Sequence, residues 1–553
     1  MPVQSTHPSF EVPKEDIWAF LFERKDRDYP DDKVIYKDAQ TGRTYTYEQV
    51  KTAAETFGKG LKAVWEWRKG DVLGIYAANC IDTPSVTWGT HWAGGIISPA
   101  NPAYTVEELA FQLRDSKAKA LVTQLPFLEN AKKACKLAGI DQDFIALIGD
   151  QRDPEGRVKH WTSVRNISGA TRYRRAKINP EKDLAFLVYS SGTTGLPKGV
   201  MLNHRNICSN ITQLAAAESG NLDWKGGPDG EGDKILAFLP FYHIYGLTCL
   251  IMQSIHRGFQ LVVMDKFELE RFCQIIQESK ITFSYVVPPV LVGLAKHPVV
   301  AKYDLSTLRM VNCGAAPLTR ELVDMVNARF PLPIKQGYGL SETSPTTHVQ
   351  PWDEWNTTVG SVGKLLPNMT AKYIDADGKE VAQGEDGELC LQGPNVFQGY
   401  LNQPQLTKES FTDDGFFKTG DIGHEDKNGN FYITDRVKEL IKYKGFQVAP
   451  AELEGLLLNH PKVNDAAVIG LHHDEQHTEL PRAYIVLAPG AAKSSETADE
   501  IANWLHEKVA PHKRLRGGIF FIDEVPKSIS GKILRRILKD AAIQEQKAGK
   551  PKL

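Results

Sequence analysis

Short apolar runs alternate with helical patterns over residues 70–340, and this alternation restricts the fold more than any other feature of the chain. The runs are rich in β-branched residues, as buried strands are, and the stretches between them have helical spacing. They are DVLGIYAANC, AKALVTQ, DLAFLVYSS, KILAFLP, FQLVVMD, ITFSYVVPP and LRMVNCG. This rhythm predicts an α/β fold in which βαβ units surround mostly parallel sheets.

The pattern changes after residue 360. The segment AKYIDADGKEVA should turn at Asp377-Gly378, and GNFYITD follows the turn DKNGN, so we predict a smaller β-rich subdomain there. Past residue 436 a compact α+β pattern includes the helix AELEGLLLNH, the strands DAAVIGL and RAYIVLA, and a helix from about Ala498 to Ala510. A chain of 553 residues exceeds the ~250–300 residues that one core supports. We predict two domains, 1–435 and 436–553.

Composition argues against several classes of partner. The 66 basic residues nearly cancel the 68 acidic ones, so no overall positive field would attract nucleic acid. Seven cysteines lie scattered without a CxxC pair, which fits a reducing compartment better than a disulfide framework. No stretch approaches the ~18 uninterrupted apolar residues of a membrane helix, so we predict no membrane span.

The chain finishes in Pro551, Lys552 and Leu553 after a lysine-rich tail. This ending resembles the SKL-type peroxisomal address, with proline in place of the usual small serine. We therefore predict a peroxisomal or cytoplasmic protein. A peroxisomal import receptor is the partner that this PKL ending would bind, and a chance tail is the alternative.

The strongest chemical signal is YSSGTTGLPKGV, residues 189–200, which directly follows the apolar strand DLAFLV. Glycines let successive backbone N–H groups converge on an anion, hydroxyls add neutral donors, and a lysine adds a mobile positive charge. The segment is not a Walker A loop, because GxxxxGK followed by Ser or Thr occurs nowhere in the chain. A glycine-rich turn with solvated hydroxyls is the alternative. The predicted phosphate-binding residues are Ser190, Ser191, Gly192, Thr193, Thr194 and Lys198.

The same segment resembles a motif of a known enzyme family. SSGTTGLPKGV is similar to the phosphate loop of the adenylate-forming superfamily, which includes acyl-CoA synthetases, 4-coumarate:CoA ligases, beetle-type luciferases and peptide-synthetase adenylation domains. Further motifs follow in the family's order, with similarity greatest to the 4-coumarate:CoA ligase and luciferase branch. They are LPFYHIYG from Leu239, CGAAPL from Cys313, QGYGLSET from Gln336, KTGDIG from Lys418, DRVKELIKYKGFQVAPAELE from Asp435 and PKSISGKILRR from Pro526.

The resemblance implies a large N-terminal domain of βαβ sheets plus a β-barrel subdomain, and a small mobile C-terminal lid. It also implies an ATP-dependent acyl-CoA ligase, which forms acyl-AMP and pyrophosphate and then transfers the acyl group to coenzyme A, releasing AMP. ATP, Mg²⁺ and CoA would be required, and the acid would be aryl, phenylpropanoid-type or medium-chain. A luciferase-like adenylating oxygenase and an enzyme that loads a carrier protein are the alternatives.

The first half-reaction brings a carboxylate against the α-phosphate of ATP, two anions whose repulsion at ~4 Å is about 4 kcal/mol at an effective dielectric of about 20. Positive charge must therefore gather there. Glu342 resembles the family's Mg²⁺-binding glutamate, and Lys532 resembles the lysine that bridges the substrate carboxylate and the α-phosphate. Asp421 resembles the aspartate that receives the ribose hydroxyls, and Arg436 resembles a second contact, either to the ribose or to a phosphate. Ser341 would donate to the α-phosphate, and the adenine slot would be formed around Ala315, Gln336, Gly337 and Tyr338. A helix-starting acid at Glu342 and a turn aspartate at Asp421 are the structural alternatives.

The acyl pocket is predicted around LPFYHIYG. His243 is similar to the histidine that positions the carboxylate, and Tyr245 and Gly246 would line the same pocket; a satisfied core histidine is the alternative. Relatives that activate amino acids carry an aspartate in this stretch, whereas this chain has Phe241, Tyr242 and His243. A substrate without an α-amino group follows. The predicted catalytic residues are Lys532, His243, Glu342 and Lys198.

The second half-reaction needs a thiol to reach the adenylate through a narrow passage. KYKGFQ resembles the segment that flanks this passage, with Lys444 and Gly445 contacting CoA, while Lys266 would lie near the CoA phosphates. The resemblance places Lys438 at the family's hinge position. Lys438 and Lys442 are also predicted to bind the substrate. A solvated charged face is the alternative for Lys438, Lys442 and Lys444, and an ordinary surface lysine is the alternative for Lys266. The histidines of HHDEQH, residues 472–477, are interpreted as a polar loop and not as a metal site.

Overall fold

The computed structural model describes residues 2–190, 197–218, 220–227, 229–316, 318–436, 439–444, 446–473, 478–528 and 531–547. Two large sheets form its greater part. In the seven-stranded sheet the strands are parallel except for the antiparallel pair of β9 and β10. Its order is β10 (Lys198–Asn203), β9 (Leu184–Ser190), β5 (Ile96–Ala100), β4 (Val72–Tyr76), β6 (Ala118–Thr123), β7 (Ile145–Leu147) and β8 (Lys159–His160).

The second large sheet has nine strands. Its central six, from β2 to β15, run parallel, and antiparallel strands close both edges. The order is β17 (Lys364–Leu365), β16 (Thr346–Val349), β15 (Ile334–Gly339), β14 (Met310–Cys313), β13 (Phe283–Val286), β11 (Lys234–Ala237), β12 (Gln260–Val263), β2 (Val34–Asp38) and β3 (Thr44–Thr46). Each apolar run predicted as a strand between residues 70 and 340 lies in one of these sheets, which confirms the α/β prediction.

The remaining strands form smaller sheets. A five-stranded antiparallel half-barrel has the order β1 (Val3–Gln4), β18 (Thr370–Ile374), β19 (Gly387–Gln392), β20 (Phe417–Glu425) and β21 (Phe431–Arg436). The last part of the chain has a hairpin of β22 (Ile441–Tyr443) and β23 (Phe446–Val448), and a sheet of β24 (Val463–His473), β25 (Thr478–Leu487) and β26 (Ile519–Phe521). The β-rich subdomain and the C-terminal α+β pattern were both predicted.

Helices cover the faces of these sheets, as crossover connections between parallel strands require. They are α1 (Ile17–Phe22), α2 (Tyr47–Val64), α3 (Thr83–Trp92), α4 (Val106–Asp115), α5 (Leu128–Ala138), α6 (Trp161–Arg165), α7 (His204–Ala217), α8 (Ile244–Gly246), α9 (Gln253–Arg257), α10 (Leu269–Ser279), α11 (Pro288–Lys296), α12 (Arg320–Arg329), α13 (Pro404–Glu409), α14 (Pro450–Leu457), α15 (Ser495–His506) and α16 (Arg535–Lys547). A π-helical segment, Leu247–Met252, joins α8 to α9. In the described part of the chain, no helix combines the length and apolar character needed to cross a bilayer.

Close packing joins the two large sheets through α2 and α3. A Cβ on Gly58 of α2 would lie 2.5 Å from the carbonyl oxygen of Gly89 in α3, so the helices approach at a distance that only glycine allows. Arg43, before β3, also forms two 3.0 Å hydrogen bonds with the fully buried carboxylate of Asp82, which precedes α3. These contacts give the two sheets one continuous core.

The C-terminal elements pack around separate apolar cores, one including Leu453, Ile485 and Ile501 and another including Ile469 and Leu538. The predicted division between residues 435 and 436 falls at the last residue of β21, and we retain it as a proposal. Helix α15 begins earlier than expected, because Ser494 caps it by accepting a 3.2 Å hydrogen bond from the N–H of Thr497.

Candidate active site

A cleft of about 690 Å³ lies where the carboxyl ends of strands from both large sheets meet the half-barrel and the C-terminal segment. In open α/β folds this edge is where ligands bind. The cleft brings together predicted residues from seven separate stretches of sequence. Those in its lining are Ser190, Lys198, His243, Tyr245, Ala315, Gly337, Tyr338, Ser341, Glu342, Asp421, Arg436 and Lys532.

Other predicted residues lie elsewhere. Gln336 is buried in β15 and Gly246 packs against the backbone of Pro240, and neither is part of the cleft lining. Lys266, with 80% of its side chain exposed, and the exposed Lys442 and Lys444 also lie outside the lining. Six predicted residues fall outside the described part of the chain: Ser191, Gly192, Thr193, Thr194, Lys438 and Gly445.

Asp421 is the centre of a polar cluster on the half-barrel side of the cleft. Its carboxylate accepts a 2.5 Å hydrogen bond from the hydroxyl of Tyr338 and forms an ion pair with Arg436, whose Nε lies 3.0 Å from Oδ1. Register explains the pairing, because Asp421 on β20 lies opposite Arg436 on β21. Asp421 is 2% exposed, so these partners fix its orientation. A carboxylate held in this way can accept hydrogen bonds from vicinal hydroxyls.

Glu342 lies in a single 3₁₀ turn, Ser341–Thr343, directly after β15. Its Oε1 accepts a 2.8 Å hydrogen bond from the hydroxyl of Tyr400, and its side chain is buried. Burial raises the pKa of Glu342 above its usual value, while the bond from Tyr400 opposes the shift. Nζ of Lys198 lies 5.4 Å from the centroid of the Tyr400 ring, which brings a basic group to the same wall.

Lys532 reaches the cleft from the C-terminal segment. Its backbone N–H donates a 3.1 Å hydrogen bond to Oγ of Ser528, which also lines the cleft. Burial lowers the pKa of Lys532, and the positive charge of Arg436 lowers it further. A cation whose pKa is lowered by confinement beside another cation is stabilised when an anion binds between them.

His243 ends the loop before α8, where its Nδ1 accepts a 3.2 Å hydrogen bond from the N–H of Tyr245. Burial lowers the pKa of His243 to about 4, so the imidazole is neutral at physiological pH. The hydrogen bond leaves Nε2 as the protonated nitrogen of the neutral ring. His243 therefore has both a structural role, as the N-cap of α8, and a position in the cleft.

Packing explains the glycines of the QGYG segment better than ligand approach alone. A Cβ on Gly339 would lie 2.2 Å from the carbonyl oxygen of Pro345, and one on Gly337 would lie 3.3 Å from Nδ2 of Asn312. Ala315 adopts a left-handed backbone with φ of 70°, which is uncommon for a residue with a Cβ. The wall predicted to receive the adenine is thus formed by closely packed backbone.

An acidic cluster lies behind Arg436. Oδ1 of Asp435 accepts a 2.6 Å hydrogen bond from the N–H of Arg436, while Oδ2 is buried and has no hydrogen-bond partner in the part of the chain described. Burial raises the pKa of Asp435 to about 7; the charges of Glu439 and Glu454 add to the shift, and Arg535 opposes it. Arg535 forms ion pairs with both glutamates.

This cluster predicts a pH-dependent stability. Between the ordinary aspartate pKa of 3.8 and the raised pKa of about 7, the folded state keeps a proton on Asp435 that the unfolded state has lost. The contribution of Asp435 to the free energy of unfolding is therefore present at low pH and is lost as pH rises through about 7. The free energy of unfolding should fall by about 2–3 kcal/mol between pH 5 and pH 8 because of this group. Asp435→Asn removes the titration. The melting temperature of the variant minus that of the wild type should be a few degrees larger at pH 8 than at pH 5. Equal differences at the two pH values would contradict a raised pKa for Asp435.

Several residues of the cleft gave no signal in the sequence. Tyr400, which holds Glu342, lies in a loop without a recognisable motif, and Glu218 is an isolated acid at the end of α7. Asn312 and Tyr285 are polar residues in strands that otherwise look like core. Only their pairing across the sheet brings them to the cleft.

Two family models match the chain. The model described as AMP-binding enzyme matches residues 22–401, and the one described as AMP-binding enzyme C-terminal domain matches residues 452–532. The chain therefore belongs to the AMP-binding enzymes, the adenylate-forming superfamily that the sequence motifs resemble.

Relatives of known class extend the match over the full length. The chain is 40% identical over 550 residues to a probable 4-coumarate–CoA ligase 1 of Dictyostelium discoideum, covering 97% of both chains. It is 38% identical over 510 residues to a 4-coumarate–CoA ligase 2 of Solanum tuberosum, covering 91% of this chain and 90% of the relative. The crystal structure of ATP-bound MatB from Rhodopseudomonas palustris superposes with a TM-score of 0.83 at 27% identity, covering 95% of this chain and 98% of the other. The enzyme class is thus that of the AMP-forming CoA ligases.

Proposed function

We propose that this enzyme activates an aryl carboxylic acid, of the arylpropenoic type, as its acyl-adenylate and then transfers the acyl group to coenzyme A. The observation that carries the proposal is the meeting of Asp421, Glu342 and Lys532 in one cleft. The lining of the same cleft includes an aromatic compartment formed by Tyr242, Tyr245 and Tyr285. The names of the relatives at 38–40% identity support the choice of acid.

In the first step, a carboxylate oxygen of the acid attacks the α-phosphorus of ATP, and pyrophosphate leaves with the electrons of the broken P–O bond. Asp421 accepts hydrogen bonds from the ribose hydroxyls and Arg436 holds Asp421 in place. Lys532 lies between the carboxylate and the α-phosphate, where its charge offsets the repulsion of the two anions. Lys198 and the hydroxyls of Ser190 and Ser341 contact the phosphates.

The residues present fit a magnesium ion bound mostly by the nucleotide. One carboxylate oxygen of Glu342 accepts the hydrogen bond of Tyr400, and the other is the oxygen that could bind the ion. Among the residues with described placement, no group of three or more His, Cys, Asp or Glu could hold a metal ion without the nucleotide. Mg²⁺ usually takes one or two protein oxygens and completes its shell with phosphates and waters. When bound, it would neutralise phosphate charge; Glu342 would orient it, and Tyr400 would orient Glu342.

In the second step, the thiol of coenzyme A loses its proton to solvent and its sulfur attacks the acyl carbonyl carbon, and AMP leaves with the electrons of the broken C–O bond. Lys532 occupies the cleft in this structure, whereas Lys442 and Lys444 lie outside it. We therefore assign the structure to the adenylation step and propose that the C-terminal domain rotates to bring KYKGFQ to the cleft. Lys438, the proposed hinge, lies outside the described residues, and Lys266 remains a predicted CoA contact.

A thioester assay across matched acids tests the substrate class. Purified enzyme with ATP, Mg²⁺ and CoA would be offered arylpropenoic acids, benzoic acids and straight-chain acids of medium length. We expect kcat/KM for an arylpropenoic acid to exceed that for the best straight-chain acid by at least about tenfold, because the compartment walls are tyrosine rings. A straight-chain acid as the best substrate would overturn the aryl assignment and leave the ligase chemistry intact.

A further inference from the structure

The carboxylate of Asp115 lies behind the phosphate-binding side of the cleft, and the proposed chemistry does not use it. Asp115 is the last residue of α4 and is not part of the cleft lining. Its Oδ2 accepts a 2.7 Å hydrogen bond from the hydroxyl of Tyr189, and its Oδ1 accepts a 3.0 Å hydrogen bond from Nδ2 of Asn402. One side chain therefore joins two segments that are far apart in the sequence.

Tyr189 connects Asp115 to residues that would hold the phosphates. It lines the cleft and comes directly before Ser190, which lies opposite Lys198 in the register of β9 and β10. A Cβ on Gly199 would lie 3.2 Å from Cζ of Tyr189, so the phenol ring packs closely across β10 on its way to Asp115. Burial raises the pKa of Tyr189 far above its usual value, and the adjacent carboxylate adds to the shift, so the hydroxyl remains a donor. The ring thus restrains the ends of β9 and β10 that carry the predicted phosphate contacts.

Asn402 ends the segment 398–402, which we call the strap and which also carries Tyr400. Nδ2 of Asn402 donates a second hydrogen bond, 3.2 Å long, to the backbone oxygen of Asp115. Asn402 adopts a left-handed backbone with φ of 57°, which asparagine tolerates better than most residues do. Tyr400 holds Oε1 of Glu342. This second connection therefore leads from Asp115 to the residue that we assign to magnesium.

The strap also pairs with β10. The N–H of Met201 donates a 3.0 Å hydrogen bond to the backbone oxygen of Gly399. The N–H of Leu401 donates a 2.8 Å hydrogen bond to the backbone oxygen of Gly199. The strap and the strand that begins at the phosphate-binding lysine are thus one hydrogen-bonded unit, and the carboxylate at the end of α4 fastens this unit to the seven-stranded sheet and its helices.

We infer that Asp115 is a positioning residue for nucleotide binding, which acts on the phosphate contacts through Tyr189 and on the magnesium contact through Asn402. This inference rests on the proposed ligase function and adds a residue outside the cleft to its nucleotide site. Asp115 acts without touching ATP. It holds the two segments in one relative arrangement before ATP binds, so that binding does not have to order them.

Nucleotide binding and adenylation kinetics of Asp115→Ala test the inference. The substitution removes both acceptors, and we expect the Kd for ATP, measured by calorimetry with Mg²⁺ and without acid, to rise about 10-fold. The KM for ATP in adenylation should rise by the same factor, with kcat within about threefold of wild type and an unchanged KM for the acid. A loosened nucleotide site weakens the ground state and the transition state alike, which changes KM and not kcat. A purely structural role would instead lower the fraction of active enzyme and leave KM unchanged.

Single substitutions separate the two connections. Tyr189→Phe removes only the hydroxyl that reaches Oδ2 of Asp115 and should raise the Kd for ATP about fivefold, with the Mg²⁺ concentration at half-maximal rate unchanged. Asn402→Gly removes the amide and keeps a residue that adopts the left-handed backbone without strain, so it should raise that Mg²⁺ concentration about threefold. The double variant Asp115→Ala/Tyr189→Phe should bind ATP no more weakly than Asp115→Ala, because the hydroxyl then has no partner to lose.

A conservative variant and a matched control complete the set. Asp115→Asn can still accept from Tyr189, and it can donate to Asn402 once that amide turns over, so its Kd for ATP should lie within about threefold of wild type. Arg114→Ala changes the preceding residue of α4, whose side chain donates a 3.1 Å hydrogen bond to the backbone oxygen of Leu137 and does not line the cleft. It should leave the Kd and KM for ATP close to wild type.

An Asp115→Ala enzyme with wild-type affinity for ATP would overturn the inference, and so would additive losses in the double variant with Tyr189→Phe. If Asp115→Ala does not fold, the two single connections decide, and wild-type ATP and Mg²⁺ dependence in both Tyr189→Phe and Asn402→Gly would overturn it. Each of these results leaves the proposed ligase function standing, because the wild type still forms acyl-adenylate. If the wild type binds ATP but forms no acyl-adenylate from any acid, the proposed function itself fails.

Discussion

Lys532→Ala should lower the rate of acyl-adenylate formation by about 10³-fold and leave thioester formation from supplied acyl-adenylate within about tenfold of wild type. Lys532 lines the cleft, where burial lowers its pKa and the charge of Arg436 lowers it further, so an anion that binds there stabilises its charged form. Loss of a single preorganised charge of this kind costs about 10²–10³ in rate. Rapid-quench measurement of acyl-AMP, with separate measurement of thioester from synthetic acyl-AMP, resolves the two steps.

Lys527→Ala provides the control. Lys527 belongs to the same segment, but its Nζ pairs at 2.6 Å with Asp465 and it is not part of the cleft lining. It should leave both half-reactions close to wild type. Equal losses in the two half-reactions of Lys532→Ala would contradict the role of the lysine in adenylation alone.

Glu342→Gln should lower kcat/KM for adenylation by about 100-fold at millimolar Mg²⁺ and raise the Mg²⁺ concentration at half-maximal rate by about tenfold or more. The substitution keeps the shape of the side chain and its contact with Tyr400 but removes the charge of the one acidic ligand we assign. Adenylation rates over a magnesium titration at saturating ATP would measure both effects.

Tyr400→Phe gives a graded comparison, since it removes only the hydroxyl that holds Oε1 of Glu342. We expect a smaller loss, about 10-fold, because an outer partner of a metal ligand contributes through orientation alone. A Glu342→Gln enzyme with an unchanged magnesium dependence, and an unchanged melting temperature, would remove Glu342 from the metal site.

Much of the fold follows from local pattern. The apolar runs of the two large sheets are predictable because a strand buried on both faces must be almost wholly apolar. The turn at Asp377-Gly378 is predictable because glycine readily adopts the positive φ that such turns require, and Gly378 has φ of 80°. The helix ends were less predictable. Helix α14 begins at Pro450, one residue before the predicted start, because proline suits the first helical position.

The residues of the site also include some that the sequence predicts and some that it does not. Ser341, Glu342, Asp421 and Lys532 stand in motifs with strong resemblance to a known family, and the structure brings them to one cleft. Tyr400 and Asn312 could not be predicted, since their contacts with Glu342 and Tyr245 join residues over 50 positions apart. A single sequence shows neither strand order nor register, and it is the register of β13 and β14 that places Tyr285 opposite Asn312 at the cleft.

Exchange of labelled pyrophosphate into ATP, without CoA, tests the central claim most directly. The account predicts exchange that requires both the carboxylic acid and Mg²⁺, because acyl-AMP formation is reversible and precedes any contact with the thiol. Addition of CoA should then release AMP and thioester in equal amounts. Release of ADP and phosphate, or exchange that proceeds without the acid, would contradict an adenylate-forming ligase.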